Sequence, residues 1–214
     1  MKAITAKTIG HAWLKSCKII LEDGIDINDK NEKLKEVMHL ILKIKTPKEK
    51  DEIIDKYGDK KAVEWMLSNF LEQKNVPELT NSQSYGTRFF NYNGKNQIQW
   101  VIERLKEKPE SKSVTVTTLM PNQDRGYIPC VSLLDFKIRD NKLILTVFCR
   151  SIDFGAKAYA NMIALAKIQE MVSKELNIPK GEMVLHIVSA HIYEKDFDKI
   201  KSVLSNKLEA DKKW

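Results

Sequence analysis

Cysteine is scarce in this sequence, and the few residues present stand apart. Cys17, Cys130 and Cys149 are an odd number. None belongs to a CxxC or a Cys/His metal spacing, so neither a disulfide framework nor a structural zinc site is expected. Each thiol is therefore either packing or reactive. Long apolar runs are missing as well. Every one is broken within a few residues, far short of the ~20 needed to cross a bilayer. The opening MKAITAKTIGHAW has no continuous apolar stretch and no small-residue cleavage site. A cytoplasmic protein with no membrane partner is the expectation. No internal repeat and no linker divides the chain, so a single domain over residues 1–214 is expected, long enough to bury a sizeable core.

What is abundant is charge: 36 Lys and Arg against 29 Asp and Glu, net +7. The basic residues are spread along the whole chain and interleaved with acidic ones. That pattern reads as a solvated surface rather than a nucleic-acid footprint, and it leaves room for anionic small substrates.

Hydrophobic spacing gives a coarse order of elements. Ala12, Cys17, Ile20 and Leu21 share a helical face within 8–22, and residues 37–45 alternate as a strand closed by Thr46-Pro47. Helical spacing returns over 48–57 and 59–74, where Val63, Met66, Leu67 and Phe70 form a stripe. Residues 75–95 turn polar and loop-like, and a helix over 96–107 stops before Pro109. Strands are predicted over 114–120, 130–139 and 142–149, the last two joined by an Asp140-Asn141 turn. A helix over 157–176, a strand over 183–193 and a charged helix over 195–214 complete the chain. The fold class is α+β, a mixed and largely antiparallel sheet flanked by helices.

Chemistry gathers in the second half. A cysteine nucleophile needs a cationic or dipolar setting that favours its thiolate. Cys130 opens one strand of the predicted hairpin, and Arg150-Ser151 lies at the end of the other. That pair supplies a guanidinium and a phosphate site together. Asp153 and Asn161 bracket the entry to the next helix, and His191 and Tyr193 stand on the last strand. Cys17, Cys149, His11, His39 and His186 have no partner pattern and read as core or surface residues.

Four ordered motifs carry a resemblance to the thymidylate synthase family: Pro129-Cys130, Arg150-Ser151-Ile152-Asp153 with Asn161 eight residues on, His191-Ile192-Tyr193, and Tyr85-Gly86 followed by Asn96-Gln97-Ile98. The resemblance spans about residues 81–196. It implies that Cys130 adds to C6 of dUMP, and that the product is dTMP. The methylene donor would be 5,10-methylenetetrahydrofolate or a methylene-tetrahydromethanopterin. Arg150 and Ser151 would hold the nucleotide phosphate, Asn161 the O4/N3 edge of uracil, and His191 and Tyr193 the deoxyribose hydroxyl. Asp153 would anchor the pterin, and Tyr85 would join the proton network. The resemblance also implies a homodimer sharing phosphate-binding residues across its interface.

There are departures. Lys112-Ser113 stands where the family has paired arginines, with Arg88 and Arg125 as possible substitutes. Val131 follows the cysteine in place of a common His, and Phe154 to Tyr159 replaces a bulkier stretch; short archaeal-type members differ in similar places. Glu64 is the candidate for the family's catalytic Glu. A pyrimidine-nucleotide (dUMP/dCMP) hydroxymethylase and a catalytically silent nucleotide-binding relative are the alternative readings.

Overall fold

A computed structural model describes residues 1–211. Strand β1 (Lys2–Ala6) leads into α1 (Ile9–Asp23), then β2 (Ile25–Asp29) and the long β3 (Glu32–Ile44). Helices α2 (Glu52–Tyr57) and α3 (Lys60–Leu71) follow, then a two-strand ribbon of β4 (Asn75–Val76) and β5 (Ser82–Gln83), and α4 (Tyr85–Phe90). The second half is α5 (Gln97–Glu107), β6 (Thr115–Thr117), β7 (Val131–Arg139), β8 (Lys142–Asp153), α6 (Ala158–Glu175), β9 (Lys180–Tyr193) and α7 (Phe197–Asp211).

The main sheet has seven strands in the order β1-β3-β9-β8-β7-β6, with β2 folded onto β3. Pairs β1/β3 and β8/β9 are parallel and the rest antiparallel, so the α+β expectation holds. Along β3, β9 and β8 a buried row is made by Leu40, Leu42, Ile44, Leu185, Ile187, Val147 and Cys149. Helices α1 and α6 contribute Trp13, Cys17, Tyr159 and Leu165 to the same core. Large side chains removed from water this way stabilise by about 1.5–3 kcal/mol each. Asp51 caps α2 by accepting from Ile53 and Ile54 amides at 3.0 and 3.4 Å. It also takes the Gly10 amide at 2.7 Å, so one buried carboxylate pins α2 to α1.

Three adjacent strands break the inside-outside alternation at the same rung. Non-buried pairs fall between buried residues: Met38-His39 in β3, Val188-Ser189 in β9 and Arg150-Ser151 in β8. Met38 and Ser151 both register against Ser189. His39 takes the step at φ 54°, the left-handed region unusual for a side chain of this size. Beyond the step, Glu36, Ser189, His191, Ser151 and Asp153 line a cavity.

Several boundaries differ from those predicted. Residues 75–95 are not plain loop, because Ser84 caps α4 through the Thr87 amide and Tyr85 and Phe89 pack on Phe70. Strands β1 and β2 go unread in the sequence: β1 is short, and every residue of β2 is exposed, leaving no apolar alternation. β3 and β9 start earlier than predicted, at Glu32 and Lys180, and β6 is shorter. The Asp140-Asn141 turn has φ of 49° and 54°, as a type I′ hairpin requires. The predicted last helix begins at Phe197, and its final three residues lie outside the described ones.

Candidate active site

A cleft of about 650 Å³ opens over the end of the sheet where the alternation steps. One wall is Cys130, Arg150, Ser151 and Asp153; the floor carries Ser189, His191, Tyr193 and Glu36. The facing wall comes from Trp65, Met66 and Asn69 of α3, and the β2–β3 turn brings Ile27 to Lys30 to the mouth.

Cys130 is half-buried immediately before β7. Ser151 Oγ donates to its Sγ at 3.6 Å, and Tyr127 Oη lies 4.0 Å away. Arg150 holds the approach loop: Nε donates to the Pro129 carbonyl at 3.1 Å and one terminal nitrogen to the Ile128 carbonyl at 2.5 Å. The other terminal nitrogen reaches Ser151 Oγ at 3.1 Å. Three of the five guanidinium N–H donors are thus engaged, and two are left for a ligand. The same side chain builds the thiol loop and offers charge beside it.

Tyr85 approaches from α4. Its Oη accepts the Val131 amide at 3.0 Å, one residue past the thiol, and burial drives its phenol well above the ordinary range. α4 sits close enough to do this because residue 86 is glycine: a Cβ there would lie 2.3 Å from the Glu72 carbonyl oxygen. Asn69 Oδ1 accepts the Tyr85 amide at 3.3 Å, tying α3 to the same point.

Asp153 ends β8 and caps the turn into α6, accepting the Gly155 and Ala156 amides at 2.9 and 3.3 Å. Burial raises its carboxyl, while His191 and those amides pull the other way. Burial lowers His191, opposed by Asp153 first. The His191 and Tyr193 rings meet edge to face at 5.2 Å. Asn161, in the first turn of α6, donates one amide proton to the Lys157 carbonyl at 3.0 Å. Its remaining N–H and its carbonyl are what it can offer a ligand.

Residues 27–213 match the sequence profile of the family described as thymidylate synthase. The chain belongs to the thymidylate synthase family. A protein of Methanosarcina mazei carrying the name "Putative thymidylate synthase" is 34% identical over 95% of this chain and 94% of its own length. Its namesake in Methanocaldococcus jannaschii is 32% identical over 94% and 95%, and that in Methanothermobacter marburgensis 30% over 95% and 98%.

As a thymidylate synthase family member the chain brings Cys130, Tyr85, Arg150, Ser151, Asp153, Asn161, His191 and Tyr193 to one cleft. Glu64 is not among them. It is exposed on α3, one residue before Trp65, and the 100° turn per residue carries it away from the cleft. Arg88 does not line the cleft either; its guanidinium is buried on Asp124. Lys112 is exposed on the segment before β6 and does not line this chain's cleft. His39 and His186, read as partnerless, face each other at 3.4 Å.

The sequence reading missed Glu36, Ser189, Tyr127 and Asn69. Glu36 and Tyr127 lie outside every stretch assigned to an element, while Ser189 and Asn69 lie in stretches read only for their periodicity; the β3/β9 register brings Glu36 and Ser189 together. Among the described residues no group of three His, Cys, Asp or Glu side chains could hold a metal ion, and no helix is long and apolar enough to cross a membrane.

Proposed function

We propose that this chain converts dUMP to dTMP, with Cys130 as the nucleophile. The observation that carries the reading is the thiol's setting. Cys130 alone of the three cysteines lines the cleft, while Cys17 and Cys149 are fully buried with thiols pushed up by burial. A reduced methylene-pterin, 5,10-methylenetetrahydrofolate or a methylene-tetrahydromethanopterin, supplies the one-carbon unit and the hydride when bound. The cleft's mixture of an aromatic wall at Trp65 and a partly buried carboxyl at Asp153 suits a flat heterocycle bearing N–H donors.

In this reading Ser151 gives its proton to the thiolate as a hydrogen bond while Arg150 stabilises the charge. The thiolate then adds to C6 of the pyrimidine, and the electron pair moves to C5 and O4. Asn161 holds the O4/N3 edge with its free carbonyl and N–H. The two free donors of Arg150 take the 5′-phosphate, and His191 and Tyr193 take the sugar hydroxyl. Tyr85, fixed by Val131, stands beside the reacting carbon's proton traffic. Release of Cys130 at the end restores the thiolate.

The chain acts as a homodimer in this reading. Phe148 and Met38 are exposed on the sheet, and Phe148 packs edge to face on His186. Exposed large apolar groups on a sheet face are the usual mark of an interface. A second copy there would supply Lys112 to the phosphate.

The deciding experiment is a covalent-adduct assay with 5-fluoro-dUMP and each of several methylene-pterins, followed by product analysis. A Cys130-linked ternary adduct and dTMP support the reading. Hydroxymethyl-dUMP as product would assign the hydroxymethylase instead, and nucleotide binding without any adduct would make the chain a silent relative.

A further inference from the structure

Glu36 belongs to the cleft but to none of the roles above. It stands directly across from His191 in the β3/β9 register. Its Oε1 accepts a short hydrogen bond from Ser189 Oγ, and the Ser189 Oγ lies 3.3 Å from His191 Nδ1. The direction of this chain follows from counting protons. An ionised carboxylate only accepts, and a serine hydroxyl has one proton to give. Ser189 spends that proton on Glu36. Its contact with His191 therefore requires the ring to donate from Nδ1.

We infer that Glu36 and Ser189 are positioning residues that lock His191 as the Nδ1–H tautomer, so that Nε2 faces the sugar subsite as an acceptor and selects nucleotides with a free 3′-hydroxyl. The inference rests on the reading of His191 as the sugar-binding residue. Burial keeps the ring below its ordinary pKa, which favours the neutral form the lock needs. A bare Nε2 accepts a hydrogen bond from a sugar hydroxyl. Against a sugar lacking that hydroxyl it is left unpaired in a partly buried site, which costs affinity. Glu36, with Asp29 also bearing on His191, repels a phosphate at the same position.

Two measurements separate this inference from the functional proposal. The first uses the free protein: long-range proton–nitrogen NMR of His191 above its pKa, in wild type, Glu36→Gln and Ser189→Ala. Wild type should show Nδ1 protonated and Nε2 bare. Gln presents both a donor and an acceptor, so Glu36→Gln should shift the ring toward the Nε2–H form, and Ser189→Ala should free it to exchange. An Nε2–H ring in wild type, or a ring unmoved in both variants, overturns the lock. The second is calorimetric binding of dUMP and of 2′,3′-dideoxyuridine monophosphate. Wild type should prefer dUMP by roughly 10-fold or more, and Glu36→Gln should narrow that gap to about threefold. Equal affinity of wild type for the two overturns the selectivity. Failure of wild type to bind dUMP at all would instead overturn the functional reading, while the NMR result would still decide the tautomer.

Discussion

Arg88 sets both terminal nitrogens of its guanidinium on the Asp124 carboxylate, at 3.0 and 2.6 Å, with both side chains almost fully buried. The same guanidinium also donates to the Gln83 and Thr118 carbonyls at 3.1 and 2.6 Å. Asp124 in turn accepts the Met120 amide at 2.7 Å. This closed network fastens α4, which carries Tyr85, to the segment that runs on to Cys130. Removing one partner of a buried pair strands the other charge, at a cost of about 3–5 kcal/mol. Arg88→Met is expected to lower stability by that order in urea unfolding. Loss of phosphate affinity with unchanged stability would contradict the structural role.

The thiols should separate by position. Cys130→Ser is expected to abolish turnover and adduct formation. Cys17→Ser and Cys149→Ser, both within the core, should retain substantial specific activity once folded. A thiol reagent applied to native protein should label Cys130 first, as read by peptide mass. Full activity in Cys130→Ser would end the assignment.

Arg150 serves two neighbours at once, the thiol loop and the open cleft. Charge-assisted hydrogen bonds contribute roughly 1.5–3 kcal/mol, so Arg150→Ala should weaken nucleotide binding about 10- to 150-fold. It should also slow alkylation of Cys130. Lys112→Ala should raise the nucleotide KM and leave thiol reactivity nearly unchanged. Mixed dimers of Cys130→Ser and Lys112→Ala subunits then report the geometry. One wild-type-like site per mixed dimer places Lys112 across the interface; only weakened sites place it within its own subunit.

Base choice should follow Asn161. With one amide proton on the Lys157 carbonyl, the side chain keeps a donor for O4 and an acceptor for N3–H. Asn161→Asp loses the donor and is expected to shift relative activity from dUMP toward dCMP in competition assays. A mismatch of this kind costs ~1–3 kcal/mol. Wild-type preference for dCMP would contradict the pairing.

His191 makes a pH statement whose sign can be worked out. Its folded pKa lies below the ordinary value near 6.5. Between those two values the unfolded chain binds more protons than the folded one, so stability rises with pH through that window. Put the other way, stability falls as pH drops below about 6.5 and levels off once the folded ring is protonated. Asp153, raised by burial, contributes with the opposite sign in its own range above the usual carboxylate value. His191→Asn should flatten the loss below pH ~6.5 in unfolding measurements. An unchanged slope would mean that the ring is not held neutral.

Much of this was legible in the sequence where one element carried the signal. The apolar row of α6 and the hairpin of β7 and β8 follow from periodicity and an Asp-Asn turn. The motif residues around Cys130, Asp153 and His191 could be named because each is close in sequence to its neighbours. Glu64 shows where such reading stops. A carboxylate on the right helix was visible, but its rotation about the helix axis was not, and Trp65, Met66 and Asn69 face the cleft instead. Arg88 shows the same limit for charge: its partner Asp124 lies in a loop, 36 residues away. Glu36 and Ser189 meet only through the pairing of β3 with β9, a long-range register that no local pattern encodes.

The step shared by Met38-His39, Val188-Ser189 and Arg150-Ser151 has a mechanical meaning. At that rung the exposed sheet face runs straight on into the cleft: Met38 and Glu36, like Phe148 and Arg150, stand two residues apart with a buried residue between them, so each pair shares one face of its strand. In the proposed dimer, pressure from a second copy on that surface would be borne by the same backbone that aims the cleft side chains. For the proposed dimer, dilution below its dissociation constant should then cost nucleotide affinity even where every cleft residue is intact.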